Sequence, residues 1–319
     1  MKKQLRAEGM LMMTAIIWGT AFVAQKSGMD YIGPMAFNGI RNIVGGLVLI
    51  PVILFLDSLA KKRAADQPPK TAEEKAAEKK LLIIGGICCG LALMFASSIQ
   101  QIAIVYTTAG KAGFITAMYV LLVPLIGWIF LRRKLRPIIW LCVVGAVVGL
   151  YLLCIPAESG FGNINKGDVI MLICSLFFAI HILVVDYFSP KVDSVKLSCI
   201  QFFVAGIVAC CFIAPVDPLL GYTFPTMAQL LDGSFSILYT GIMSCGVAYT
   251  LQVVGQADAE PTIASMILCL ESVFSVIAGA IILGEAMGAR EIIGCVLMFA
   301  AILIAQLPSK EDRLKARAE

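Results

Sequence analysis

Charge is scarce in this chain. Asp, Glu, Lys and Arg make up 14% of its 319 residues, against about 25% in soluble domains. With 60% hydrophobic residues and a mean hydropathy of +0.91, the deficit excludes a soluble globular protein and points to a chain that crosses a bilayer many times. Histidine occurs once, as His181, and the 11 cysteines contain no CxxC pair, so neither a zinc site nor a redox dithiol is supported. All the cysteines, Cys88, Cys89, Cys142, Cys174, Cys210 and Cys211 among them, lie inside apolar runs and read as small, soft membrane-core residues. A GxxxxGK[ST] loop is missing, so ATP is not expected to drive the protein directly. HExxH, a GxSxG elbow and paired aspartates within one apolar run are missing too, which sets aside an intramembrane enzyme. No cofactor and no metal is expected. The net charge of +4 sits mostly in short connections between apolar runs and carries no nucleic-acid signal.

What is present is a series of long apolar runs. Ten can be marked, at 10–29, 35–56, 81–103, 109–131, 137–155, 168–188, 197–215, 235–256, 261–284 and 290–307. Each is long enough for a helix to cross ~30 Å of hydrocarbon at ~1.5 Å per residue. Gly33-Pro34, Arg136-Pro137, Gly167-Asp168, Ser189-Pro190 and Pro261 punctuate the boundaries. The most hydrophilic connection, 57–80, reads as a solvated loop ending in a short charged helix. Lys2, Lys3 and Arg6 precede the first run as in a signal peptide, but no small-x-small cleavage site follows. That run is read as an uncleaved first transmembrane helix.

Orientation follows from the basic residues. With the N-terminus placed in the cytoplasm, twenty of the 25 Lys and Arg fall on the inner side. Lys166 and Arg290 face outward, and Lys26, Arg41 and Lys111 lie within spans. The bias places both termini in the cytoplasm.

The chain also reads as two related halves, 1–156 and 157–319. A shift of 152 positions lays Ala112 on Ala264, Gly127 on Gly279 and Leu131 on Leu283. A shift of 160 lays Lys26 on Asp186, Arg41 on Gln201 and Gly46 on Gly206, and one of 156 lays Cys89-Gly90 on Cys245-Gly246. Each half holds five spans, an odd number, so the second must enter the membrane upside down relative to the first. Inverted repeats of this kind are common in secondary transporters with a midplane site.

Five stretches carry a family resemblance: IIWGTAFVAQKSG in span 1, Pro34 to Arg41 leading into span 2, TTAGKAGFITAMYVLLVP in span 4, GDVIMLICSLFFAIHIL in span 6 and LESVFSVIAGAIILGE in span 9. Together they resemble the EamA branch of the drug/metabolite transporter superfamily, over roughly residues 10–307. The resemblance implies an all-α membrane protein of ten transmembrane helices in two inverted five-helix repeats. It also implies a central cavity lined mainly by spans 1, 3, 4, 6, 8 and 9. Members chiefly export amino acids and other small metabolites, while some relatives import vitamins or exchange sugar-nucleotides and phosphorylated sugars. One departure stands out: the usual Glu-Pro of span 9 is Glu271-Ser272 here, which weakens the expectation of a kink.

Glu271 is the sharpest candidate. An unpaired charge at mid-membrane costs at least ~2.5–3.5 kcal/mol, so it faces protein or water. It either binds a cationic substrate group or a coupling proton, or serves as a structural carboxylate bonded to helix ends. Lys111, Phe114 and Met118 share a helix face with Tyr119 beside it, a pattern that suits an anionic or zwitterionic solute or, alternatively, a lysine snorkelling outward. Lys26 carries the same two readings, and both lysines lie toward the outer face, where they can form one anion-attracting rim. Arg41, too deep to snorkel, is expected to pair with a carboxylate or helix-end carbonyls, with Asn38 one turn before it. His181 is either a proton-relay group or a satisfied packing residue; Asp186 lies well round the helix from it. Trp18, Phe22, Phe178, Tyr249 and Gln252 complete the expected cavity wall. Gly145 and Gly149 form a small-xxx-small pair for close helix approach, within the bundle or at a dimer face.

The leading reading is a secondary carrier of the cytoplasmic membrane, monomeric or homodimeric, that exports an amino acid or similar polar metabolite by alternating access. Protons are the candidate coupling ion. The alternatives are an importer or exchanger of a vitamin or phosphorylated solute and, more distantly, a non-transporting scaffold or sensor. The topology is open to test by reporter fusions: alkaline phosphatase placed in 157–164 should be active, and a fluorescent protein fused after Glu319 should fold and fluoresce. The reverse pattern would invert the orientation.

Overall fold

In hydrocarbon the backbone satisfies its own N–H and C=O groups only in helices or closed barrels, and this chain takes the first route. The computed structural model describes residues 2–63, 71–132, 137–155, 164–258 and 267–307. Among these, eight helices are long and apolar enough to cross a membrane, and Glu271–Leu283 is a shorter apolar helix. In chain order the elements are α1 (Lys2–Gly28), α2 (Pro34–Arg63), α3 (Ala72–Tyr106), α4 (Ala109–Thr116), α5 (Tyr119–Leu131), α6 (Pro137–Cys154), α7 (Lys166–Phe188) and α8 (Ser194–Cys211). Short helical turns at Ile213–Val216, Asp217–Leu220 and Met227–Asp232 follow. Then come α9 (Ser234–Leu238), a π-helical stretch (Tyr239–Ala248), α10 (Tyr249–Asp258), α11 (Glu271–Leu283) and α12 (Ala289–Gln306).

Three elements differ from the sequence expectation. The charged tail of the 57–80 connection is not a separate helix. It is the first part of α3, a 35-residue helix started by a capping box in which Thr71 Oγ1 accepts from Glu74 N–H and Glu74 accepts from Thr71 N–H. At ~1.5 Å per residue that helix outruns the hydrocarbon by more than 20 Å, so its Glu- and Lys-rich start projects into water. The fourth span is broken by a turn at Ala117–Met118 into α4 and α5. The ninth, of which residues 261–266 lie outside the described residues, is broken by a turn at Cys269–Leu270, immediately before Glu271. No proline causes either break.

Packing places α3 against α7 and α8, α2 against α8 and the π stretch, and α6 along α12. α1 lies against α11, α10 and the π stretch, and α4 against α11 and α7. Large apolar side chains such as Phe130, Leu141 and Ile281 point outward, as a lipid-facing surface requires. Asp217, fully buried beyond the end of α8, accepts from the N–H groups of Met35 and Ala36, at 2.9 and 3.1 Å, and so caps the start of α2. Burial pushes its carboxyl above the ordinary value, while these two donors pull the other way.

The α6–α12 seam resolves the small-residue pair. A Cβ on Gly149 would come within 2.7 Å of the Gly294 carbonyl oxygen, whereas one on Gly145 would meet only the Ala301 Cβ, at 3.7 Å. Gly149 therefore serves close approach inside the bundle. Gly149→Ala should lower the thermal midpoint in detergent by roughly 5 °C or more, since backbone rather than side chain must move, and Gly145→Ala should leave it within about 2 °C.

Candidate functional site

The helix breaks and the π stretch surround a cavity of about 580 Å³. It is walled by α1, α2, α3, α7, α8 and the π stretch, with Thr116 of α4, Tyr119 of α5, Tyr249 and Gln252 of α10 and Glu271 of α11, and reaches the turn between α7 and α8 at Ser189 and Ser194. Of the eleven residues singled out from the sequence, nine line it: Trp18, Phe22, Arg41, Tyr119, Phe178, His181, Tyr249, Gln252 and Glu271. Lys111 and Phe114 do not. The family resemblance pointed to spans 1, 3, 4, 6, 8 and 9; spans 2 and 7 also contribute, through Arg41 and Asn42 on α2 and Leu197, Ser198, Gln201 and Phe202 on α8.

Aromatic rings form part of the wall among polar side chains. Trp18 and Tyr249 meet edge to face with centroids 5.2 Å apart, Phe202 meets Tyr249 at 5.2 Å, and Tyr119 lies 6.5 Å from Phe178. An indole N–H buried among such rings needs an acceptor. Trp18 Nε1 finds one in the Ser244 carbonyl, at 3.2 Å, inside the π stretch. Thr14 Oγ1 likewise donates to Ala248 O at 3.2 Å. A wider helical register is thus tied to α1 by side chains that use its carbonyls.

Arg41 is 6% exposed and is held by an amide rather than a carboxylate among the described residues. Its Nε donates to Asn38 Oδ1 at 3.1 Å, and Asn42 Nδ2 donates to the same oxygen at 2.9 Å. Asn38 Nδ2 in turn donates to Ser97 Oγ at 3.0 Å and Ser98 Oγ at 2.9 Å. Those hydroxyls spend their own protons on Leu93 O and Met94 Sδ. The chain of donors therefore has one direction, which orients the Asn38 oxygen toward Arg41. The helical spacing of Asn38, Arg41 and Asn42 carried part of this signal; the serines of α3 carried none.

His181 lies 3.1 Å, through Nε2, from Gln201 Oε1. The structure therefore pairs the histidine with Gln201, the residue a shift of 160 lays on Arg41, and Asp186 is exposed. Glu271, 6% exposed, begins α11 and borders the cavity, and no hydrogen bond or ion pair reaches its carboxylate among the described residues. The break before it survives without the usual proline. Ser272 Oγ donates to Cys269 O at 2.9 Å, and Ser275 Oγ to Ser272 O at 2.7 Å, so hydroxyls take up carbonyls at the interrupted turn.

The lysines behave differently from the expected anion-attracting rim. Lys26 Nζ donates to the carbonyls of Ile104, Val105 and Thr107 at 2.8, 3.1 and 2.8 Å, which closes the C-terminal end of α3. Lys111 Nζ lies 2.9 Å from Glu291 and 3.7 Å from Asp168, and Phe114 is buried in the core. Residues that sequence reasoning missed include Gln25, Ser97, Gln100 and Thr116. Gln25 was reachable, because it follows Trp18 and Phe22 at helical spacing.

These features define a class, a multi-pass helical membrane protein with a polar, aromatic-walled cavity in mid-bundle. The model of the EamA-like transporter family matches residues 5–155 and again 165–306. The chain belongs to that family and is a membrane transporter, which implies a small-molecule substrate. A protein of Archaeoglobus fulgidus named "Uncharacterized transporter" is 28% identical over 305 residues, spanning 96% of this chain and 87% of that protein. The "Uncharacterized transporter YvbV" of Bacillus subtilis is 22% identical, spanning 96% and 93%. A WAT1-related chloroplastic protein of Arabidopsis thaliana is 21% identical, spanning 92% and 68%. A solved crystal structure, 18% identical, superposes with a TM-score of 0.57 over 97% of both chains and shares the fold.

The Asn38 network makes a direct prediction. Asn38→Leu takes the acceptor from Arg41 Nε and the donor from Ser97 and Ser98, which keep their own bonds to Leu93 O and Met94 Sδ. A buried group left unpaired costs about 1–3 kcal/mol, and here that group is the Arg41 guanidinium. The thermal midpoint of the purified protein should fall by several degrees, and Asn38→Ser should restore part of the loss.

Proposed function

We propose that this protein is a secondary carrier that exports a small zwitterionic metabolite, such as an amino acid, across the cytoplasmic membrane by alternating access. The observation that carries the reading is the pairing of opposite charges on one cavity. Arg41 and Glu271 both border it, and neither is bonded to an opposite charge among the described residues. A zwitterion supplies both missing partners at once, and the aromatic wall accommodates an apolar side chain. The volume falls within the usual range of small-ligand sites, about 300–1,000 Å³.

Two inverted five-helix repeats, 1–156 and 157–319, fit the packing. At a shift of 152, Tyr119 corresponds to Glu271. Each is the first residue of a 13-residue helix that follows a two-residue turn. Those helices end at Arg132 and Gly284, again 152 apart, both left-handed caps with φ of 51° and 66°. Counterparts also pack as a two-fold operation requires: α2 on α8, α6 on α12, α3 on α7 as the π stretch and α10 on α1. This arrangement and the twenty-to-two distribution of basic residues support a reading with ten membrane helices and both termini cytoplasmic. That orientation turns the cavity, at Ser189 and Ser194, toward the cytoplasm, where an exporter loads. Protons remain the candidate coupling ion, through Glu271.

A phosphorylated cargo fits less well. Among the described lining residues Arg41 is the only Lys or Arg, and a carboxylate shares its cavity. The experiment is thermal stabilisation of the purified protein by amino acids, vitamins, nucleosides and sugar-phosphates, with Glu271→Gln and Arg41→Gln alongside. An amino acid at 100 times its Kd should stabilise wild type by ~2.7 kcal/mol and both variants far less. Stabilisation by sugar-phosphates that survives Glu271→Gln would overturn the zwitterion reading.

A further inference from the structure

At the other end of the bundle from Ser189 and Ser194, the turn joining α3 to α4 is gripped from several sides. Asn165 Nδ2 donates to Tyr106 O at 2.8 Å, and the Lys166 ammonium lies 3.7 Å above the Tyr106 ring. Thr107 Oγ1 donates to the buried Asp168 carboxylate, while Thr107 O accepts from Lys26. Ala109 and Gly110 donate their N–H groups to the two oxygens of Glu285, at 2.8 and 3.1 Å. Lys111 pairs with Glu291 and Asp168. Apart from Lys26, every partner belongs to the second half of the chain: the start of α7, Glu285 two residues beyond α11, and the start of α12.

The grip is connected to the cavity by two helices packed side by side. α4 begins at the gripped turn and ends at Thr116, which lines the cavity. α11 begins at Glu271, which lines the cavity, and is followed by Glu285, which holds the start of α4. A Cβ on Gly113 would overlap Ser275, and one on Gly110 would come within 3.2 Å of Val276, so the pair has little room to slide. That helix spans 13 residues, Glu271 to Leu283, about 20 Å, and Glu285 lies two residues beyond its end. A solute that moves Glu271 or Thr116 therefore moves the groups that hold the turn.

Two members of the grip have no like residue at the shifted positions in sequence. At a shift of 152 the counterparts of Thr107 and Lys111 are Ala259 and Ile263, which have neither the hydroxyl nor the ammonium. We propose that the Tyr106–Lys111 turn is the latch that closes this end of the cavity. Its release opens the far side, and its one-sidedness makes the state with the cavity reaching Ser189 the resting state. The latch rests on the alternating-access reading above.

Hydrogen exchange with mass spectrometry on the full chain in lipid nanodiscs tests it, with Glu285→Gln and Asp168→Asn as variants. Wild type should show slow exchange over 104–112. Each variant should exchange there at least tenfold faster, and residues 189–201 should become slower in the same sample. Faster exchange at 104–112 with 189–201 unchanged would overturn the latch and leave a local cap. Faster exchange throughout the chain in both variants would overturn it as well, since the bonds would then hold the fold and not a gate. A reciprocal change in a protein that no tested solute stabilises keeps the latch and removes the zwitterion; a stabilising amino acid without reciprocity does the opposite.

Discussion

A peptide group without a hydrogen-bond partner is costly in hydrocarbon, and the whole structure follows from that cost. Regular helix is the cheap solution, so departures from it survive only where side chains supply the missing partners. This chain makes its departures around one cavity. The turn at Cys269–Leu270 is serviced by serine hydroxyls, and the π stretch by Trp18 and Thr14 from α1. The π stretch is bound to α1 opposite it, whereas the turn before Glu271 is closed by hydroxyls of its own segment.

Polar groups divide along the same line. Inside the cavity Glu271 has no bonded partner among the described residues and Arg41 is held only through Nε, whereas toward the end of α3 the charges are saturated: Lys26 by carbonyls, Lys111 by carboxylates, Glu285 by backbone N–H groups. Buried charges satisfied in this way hold helices together. Charges left facing the cavity are the ones a ligand would meet under the proposed function. The contrast in bonding, more than the residue types, sets these two groups apart from the others.

Much of this was legible in the sequence. Apolar length marked the helices, and depth within a run flagged Arg41, His181 and Glu271, because a polar group in hydrocarbon needs a local reason. The role of Lys111 was not legible, because Asp168 and Glu291 lie 57 and 180 positions away and nothing in the local pattern joins them. The breaks were invisible for a different reason. Pro124 lies inside α5 without interrupting it, while both interruptions occur at ordinary apolar residues. Tyr119 and Glu271, the residues that follow the two breaks, differ too much in chemistry for one to have flagged the other. The long α3 was misjudged because a change from apolar to charged composition marks the membrane surface, which a helix can cross unbroken.

In the proposed carrier, a latch at one end of the bundle has a thermodynamic consequence. Bonds present on one side only change how long the empty carrier spends in each state, and so the solute concentration that half-saturates each face. They cannot change the concentration ratio at which net movement stops, because around a closed cycle the gain on one limb is returned on another. For such a carrier, uphill movement needs a second gradient to be drawn down in the same cycle. The asymmetry decides which side the protein waits on, and leaves the destination of the solute to whatever is coupled to it.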